Sequence, residues 1–156
     1  MILDKNLTLV DKTAANLIAH TSGTQVLEGD VIDFGEKRHL GEGLPLYVSV
    51  RIDTTIAASS GAVLSLVLQG ADNAAMSSNR GTVTVVIPDT GKGALTKGKF
   101  WEIAIESFSD DGGYKRYFQL AWQGTQAHLA SVSAGAISAW IGFQHGIYRP
   151  VKDYRG

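Results

Sequence analysis

The chain has 156 residues, 44% hydrophobic and 19% charged, enough apolar material for one ordinary domain and too little charge for a disordered polyelectrolyte. Its 14 Lys and Arg against 15 Asp and Glu lack the basic excess of a protein that wraps nucleic-acid phosphates, so no nucleic-acid partner is expected. With no cysteine there is no disulfide framework, thiolate metal site or thiol nucleophile, while 18 glycines and only 3 prolines point to many tight turns.

In chain order, Asp4 and Lys5 interrupt the opening where a signal peptide needs an unbroken apolar run, so no export signal is expected. Residues 7–10, 24–27 and 30–34 are weak strand candidates, and residues 13–20 (TAANLIAH) fit either a helical turn or an irregular strand. The first strong segment is 44–53, where Leu46, Val48, Val50 and Ile52 alternate with Tyr47, Ser49, Arg51 and Asp53, the period of a half-buried strand. Residues 62–69 (AVLSLVLQ) are apolar on both faces, as a strand covered on both sides would be. Residues 82–87 (TVTVVI) are rich in β-branched side chains and are expected to stop at the turn signal Pro88-Asp89-Thr90-Gly91.

Further along, Trp101, Ile103 and Ile105 alternate with Glu102 and Glu106, and Asp110-Asp111-Gly112-Gly113 turns the chain. Residues 114–122 then place Phe118, Leu120 and Trp122 on one face, and residues 136–143 do the same with Ile137, Ala139, Ile141 and Phe143. Short strands spaced by Gly, Asp and Ser turns, without long helical crossovers, predict an all-β fold: an antiparallel β-sandwich, with a jelly roll fitting the strand count. One domain over residues 1–156 with short N- and C-terminal arms is expected, and no membrane partner, since the uncharged stretches 54–71 and 117–148 are broken by Ser, Thr, Gln and Gly.

Chemistry is hard to find. The histidines His20, His39, His128 and His145 stand singly, without the HxH or HExxH spacing that presents two imidazoles to one metal, so no metal site is expected. Residues 93–99 match the GxxxxGK spacing of a phosphate loop, but Phe100 stands where a hydroxyl should bind magnesium, and an alternating strand follows where a helix is required. Asp110 and Asp111 lack the alternating oxygen ligands of a calcium loop, and there is no GxSxG elbow for a serine nucleophile. The expectation is a non-enzyme with no catalytic residues and no cofactor. Two readings fit the uncharged span 117–148: both of its strands lie in the core with a polar loop at 123–135 between them, or part of it is buried against another chain.

The order of several segments resembles that of the capsid cement, or decoration, proteins of tailed phages, in particular the Bordetella-phage type. These are Met1-Ile2-Leu3-Asp4-Lys5; Val31-Ile32-Asp33-Phe34-Gly35 leading to Gly41-Glu42-Gly43-Leu44-Pro45-Leu46-Tyr47-Val48; Leu68-Gln69-Gly70-Ala71-Asp72; and Tyr114-Lys115-Arg116-Tyr117-Phe118-Gln119-Leu120. The resemblance implies a jelly roll made in the bacterial host cytoplasm and carried on the outer surface of the virion head. There it would bridge the phage major capsid proteins, with self-association as a dimer or trimer. In that picture an edge strand and the two chain ends are the expected attachment points. The contacts expected there are Met1, Ile2, Leu3, Tyr148, Arg149, Lys152, Tyr154 and Arg155, where charge and tyrosine return to the sequence. The alternative of another class is a carbohydrate-binding β-sandwich module stacking sugars on Trp101, Trp122 and Trp140, although Trp101 shares a face with Ile103 and Ile105 and so reads as core.

Overall fold

A computed structural model of the chain describes residues 8–10, 25–38, 46–105 and 115–142, with the side chains of 36–38 excepted. These residues form eight strands: β1 (Thr8–Val10), β2 (Gln25–Arg38), β3 (Leu46–Ala57), β4 (Val63–Ala71), β5 (Gly81–Gly91), β6 (Phe100–Ile105), β7 (Lys115–Gln123) and β8 (Ala134–Gly142). One helix, α1 (Gln126–Ala130), joins β7 to β8, and a single 3-10 turn follows β5. The strands make two four-stranded sheets, β1-β8-β3-β6 and β2-β7-β4-β5, and the described pairings are all antiparallel. The chain is therefore an all-β antiparallel sandwich, with one apolar core drawing on both sheets.

Register explains which residues fill that core, because partners directly opposite on antiparallel strands share a face. In the first sheet Val48 pairs with Ile103 and Ile141, and Val50 with Trp101 and Ala139. In the second, Trp122 pairs with Val26 and Leu66, and Leu120 with Leu68. These two sets face each other as the alternation in the sequence requires, and each fully buried Leu or Val contributes about 1.5–3 kcal/mol relative to exposure.

Four elements differ from expectation. The weak candidates 24–27 and 30–34 are one strand, β2, continuous across a register shift between Glu28 and Ile32. Gly29 (φ +73°) sits in that shift, where a side chain would strike the carbonyl oxygen of Leu9. Strand β5 does not stop at Pro88 but runs to Gly91; it is an edge strand paired only with β4, so the missing Pro N–H costs no ladder bond on its open side. The loop expected at 123–135 contains α1, which is too short to persist alone. Thr125 caps it by accepting from the His128 N–H (3.2 Å), and buried Leu129 and Val132 anchor the segment to the core. The fourth is β3, which continues to Ala57 beyond the expected end at Asp53 because Ile56 is buried and its N–H donates to the Leu95 carbonyl (3.0 Å). The candidates at 13–20 and 110–113 lie outside the described residues.

Candidate interaction surfaces

All eight residues expected to contact capsid or a second subunit, Met1, Ile2, Leu3, Tyr148, Arg149, Lys152, Tyr154 and Arg155, lie outside the described residues. The described residues define the outer faces of the two sheets and their edge strands; the middles of both faces are buried, at Val67, Ala121, Gln69 and Gln119 in the second sheet and Ser49, Ser138 and Trp140 in the first. On the first sheet, Arg51 Nε donates to Asp53 Oδ1 (2.7 Å) while Ser138 Oγ donates to Asp53 Oδ2. Ser49 Oγ donates to Glu102 Oε2 (3.2 Å) on the same face. Beside this network Phe100, 40% exposed on edge strand β6, packs on buried Trp140 with ring centroids 6.1 Å apart. The result is a polar sheet face with one aromatic corner.

The outer face of the second sheet is nearly uncharged along its middle. Register lines up Leu27, Ala121, Val67 and Val85 across all four strands, with Gln119 and Gln69 paired in the next row. Gln119 Nε2 donates to the Gly29 carbonyl (2.7 Å) and so ties β7 to the irregular part of β2, whereas the buried Gln69 Oε1 has no hydrogen-bond partner among the described residues. One end of the face opens into a polar cleft of ≈ 390 Å³ lined by Gln25, Ser65, Asp89, Gln123 and Gly124. On the edge strand β5, Val85 is 48% exposed.

Charge on this sheet gathers at the opposite end. Asp33 accepts from Arg116 through both oxygens, from Nε at 2.7 Å and Nη2 at 2.8 Å, and from the Gly35 N–H. These bonds, the Arg116 one first, hold the Asp33 carboxyl at about 2, below the usual carboxylate range. Arg116 also lies over the Tyr117 ring, 4.9 Å from its centroid. Lys115 is only 2% exposed: its stem packs over Gly70, and its ammonium donates to the Asn79 carbonyl and lies 3.9 Å from Asp72. That lysine pins the 72–80 loop to β7. Glu28 stands on the core-side row opposite Leu120, and burial alone raises its pKa.

The motifs weighed in the sequence resolve structurally. In the GxxxxGK segment Gly98 makes a turn (φ +87°), its N–H donates to the Ile52 carbonyl (2.8 Å), and β6 begins at Phe100, so there is no helix N-terminus to hold phosphate. Lys92 Nζ donates to the Ala58 carbonyl (2.7 Å), while Lys97 and Lys99 are exposed. Trp122 lies inside the second sheet, Trp101 inside the first and Trp140 outside it, so the three do not form one stacking platform. Strands β7 and β8 are both internal to their sheets and buried along most of their length, while the connection between them carries exposed uncharged residues, Thr125, Gln126, Ala127 and Ala130 among them. Among the described residues no cluster of three or more His, Asp or Glu could hold a metal, and no helix is long and apolar enough to cross a membrane.

What the sequence reading missed is the identity of the edges. Only Pro88 hinted at it, since a proline within an apparent strand demotes that strand to an edge.

The described residues thus form a nearly all-β sandwich whose edge strands carry the exposed apolar side chains Phe100 and Val85. The Bbp16 family model matches residues 15–141, and the chain belongs to that family. The family bears the name of a Bordetella phage protein, consistent with a phage protein here. No curated protein matches the chain.

Proposed function

We propose that the protein is a structural component of a tailed-phage virion, a non-enzymatic cement protein on the outside of the head that bridges neighbouring major capsid proteins. The observation that carries this reading is the family match over residues 15–141. The jelly-roll form of the sandwich belongs to the same proposal. It is supported by the strand order: β1-β8-β3-β6 against β2-β7-β4-β5 means that the chain changes sheet at every connection except the β4–β5 hairpin, as two interlocked Greek keys require. The chain acts as one domain with short arms, self-associates, and needs neither nucleic acid nor membrane.

Attachment by such a protein needs no pocket. A head repeats the same site many times, so an oligomer touching several subunits gains avidity from individually modest contacts. The exposed side chains of the edge strands, Phe100 on β6 and Val85 on β5, offer apolar contact area beside open backbone. The direct test is co-sedimentation of the purified protein with heads stripped of decoration, with copies per head counted at saturation. Saturable binding at a fixed ratio is expected; a folded protein that stays in the supernatant at all concentrations refutes the cement role.

A further inference from the structure

Polar side chains fall in one row across the end of the second sheet. Gln25 pairs with Gln123, which pairs on its other side with Ser65. On β5, Thr90 stands opposite Leu64 and Ile87 opposite Leu66, so Asp89 lies level with Ser65. The chain neighbours Val26, Trp122, Leu64 and Leu66 belong to the core, and alternation therefore turns the row outward. The row crosses all four strands of the sheet and, with Gly124, lines the ≈ 390 Å³ cleft. Gly124 lets β7 leave the sheet close against β4, where a Cβ would come within 3.1 Å of the Val63 carbonyl oxygen.

The hydrogen-bonding capacity of this row is unspent. Among the described residues no side-chain hydrogen bond or ion pair engages Gln25, Ser65, Asp89 or Gln123. Ser65 is the sharpest case: only 7% of it is exposed, and it lines the cleft with its hydroxyl unpaired among the described residues. A polar group so nearly buried has lost most of its access to bulk water, and a ligand in the cleft restores its bonds.

The chemistry of the row selects that ligand. Among the described residues no Lys or Arg lines the cleft, so an anion would meet the Asp89 carboxylate with nothing to balance the repulsion. One carboxylate is too few for a metal ion, and an apolar ligand would leave the whole row unpaired. A basic side chain only donates, so it would satisfy Asp89 and leave the amide N–H groups of Gln25 and Gln123 without acceptors. Hydroxyl groups both donate and accept, as the two carboxamides and the Ser65 hydroxyl do, and neighbouring hydroxyls on one ring can donate together to the two oxygens of Asp89. The volume falls in the range of about 300–1,000 Å³ typical of small-ligand sites, room for a mono- or disaccharide.

We propose that this cleft is a binding site for a neutral saccharide, held by Asp89, Gln25, Gln123 and Ser65. The site is separate from the three tryptophans and goes beyond the proposed head role, on which it does not depend.

The test is a glycan array probed with the full chain, carrying neutral, sialylated and sulfated glycans, followed by calorimetric titration of the best neutral binder. Binding of neutral glycans is expected. Asp89→Asn keeps the shape and removes the charge, and is expected to weaken binding about tenfold or more; Gln123→Met keeps the stem and removes the amide, at about fivefold. Asp33→Asn, at the opposite end of the sheet, is expected to bind as the wild type does, which separates a cleft effect from a general loss of fold. No binding to any neutral glycan overturns the proposal, as does an affinity indifferent to both cleft variants. Preference for sialylated or sulfated glycans overturns it too, as does displacement of the sugar by equimolar N-acetylarginine amide, which would assign the cleft to a basic side chain of a protein partner.

Discussion

Strand β1 is three residues long, yet it delivers Leu9 and Val10 to the core, and its position depends on the absence of a side chain at Gly29. Replacing Gly29 by Ala has two costs. The left-handed backbone (φ +73°) costs a non-glycine residue about 1–2 kcal/mol, partly offset by roughly 0.4–1 kcal/mol from the stiffer unfolded chain. The new methyl also meets the Leu9 carbonyl, a backbone atom that can move only if β1 moves, and Val10 Cγ2 beside it. If that shift forfeits about half the burial of Leu9 and Val10, it adds roughly 1.5–3 kcal/mol. Gly61 supplies the control, since it has a similar backbone (φ +79°) with no atom within 4 Å of where a methyl would stand. Urea unfolding of the two Ala variants should then separate them by about 2 kcal/mol, with Gly61→Ala losing only the net backbone cost, roughly 1 kcal/mol, and the slope unchanged in both. A separation under about 0.5 kcal/mol would refute the claim that close approach, and not backbone conformation alone, demands glycine at 29.

Three more expectations follow from the ionisable groups. Asp33, held at about 2 by Arg116, contributes stability that is present above its ordinary value of 3.8 and is lost as the pH falls from about 4 towards 2. A carboxyl-detected NMR titration should show that midpoint, and Arg116→Gln should move it up towards the ordinary range; an unmoved midpoint would put the cause elsewhere. Glu28 has the opposite sign. Because burial raises its pKa above 4.5, its ionisation costs the folded state, and stability falls as the pH rises through the window above 4.5. Glu28→Gln should therefore raise the urea midpoint at pH 7 and leave it unchanged near pH 3; equal gains at both would refute the desolvation argument. Lys115 works as both packing and tether, so Lys115→Met, which keeps the stem over Gly70, should cost about 1 kcal/mol through the lost hydrogen bond, and Lys115→Ala roughly 2–4 kcal/mol. Similar losses for the two would show that the stem contributes little.

Much of the fold was legible because strand alternation is a local property. Val48, Val50 and Ile52 read as one buried face from their spacing alone, as did Phe118, Leu120 and Trp122, and the structure buries both sets. The two-sided apolar run at 62–69 read as an inner strand, and β4 is one, between β7 and β5. Local signals failed where a distant partner changed the outcome. Pro88 reads as a strand terminator until β5 is known to be an edge, and the polar run at 126–130 becomes a helix only because Leu129 and Val132 find the core.

The all-β class, most of the strands and the inward face of each strong one are written in the order of the residues, as is the lack of local catalytic or metal-binding motifs. All of these follow from side-chain chemistry at spacings of a few residues. Which strands are neighbours and which lie at the edges of the described sheets emerges with the closing of the two sheets. Pairing joins residues as far apart in sequence as Val10 and Ala139, and its register is set by how two sheets close over one core, a condition no short window of sequence contains.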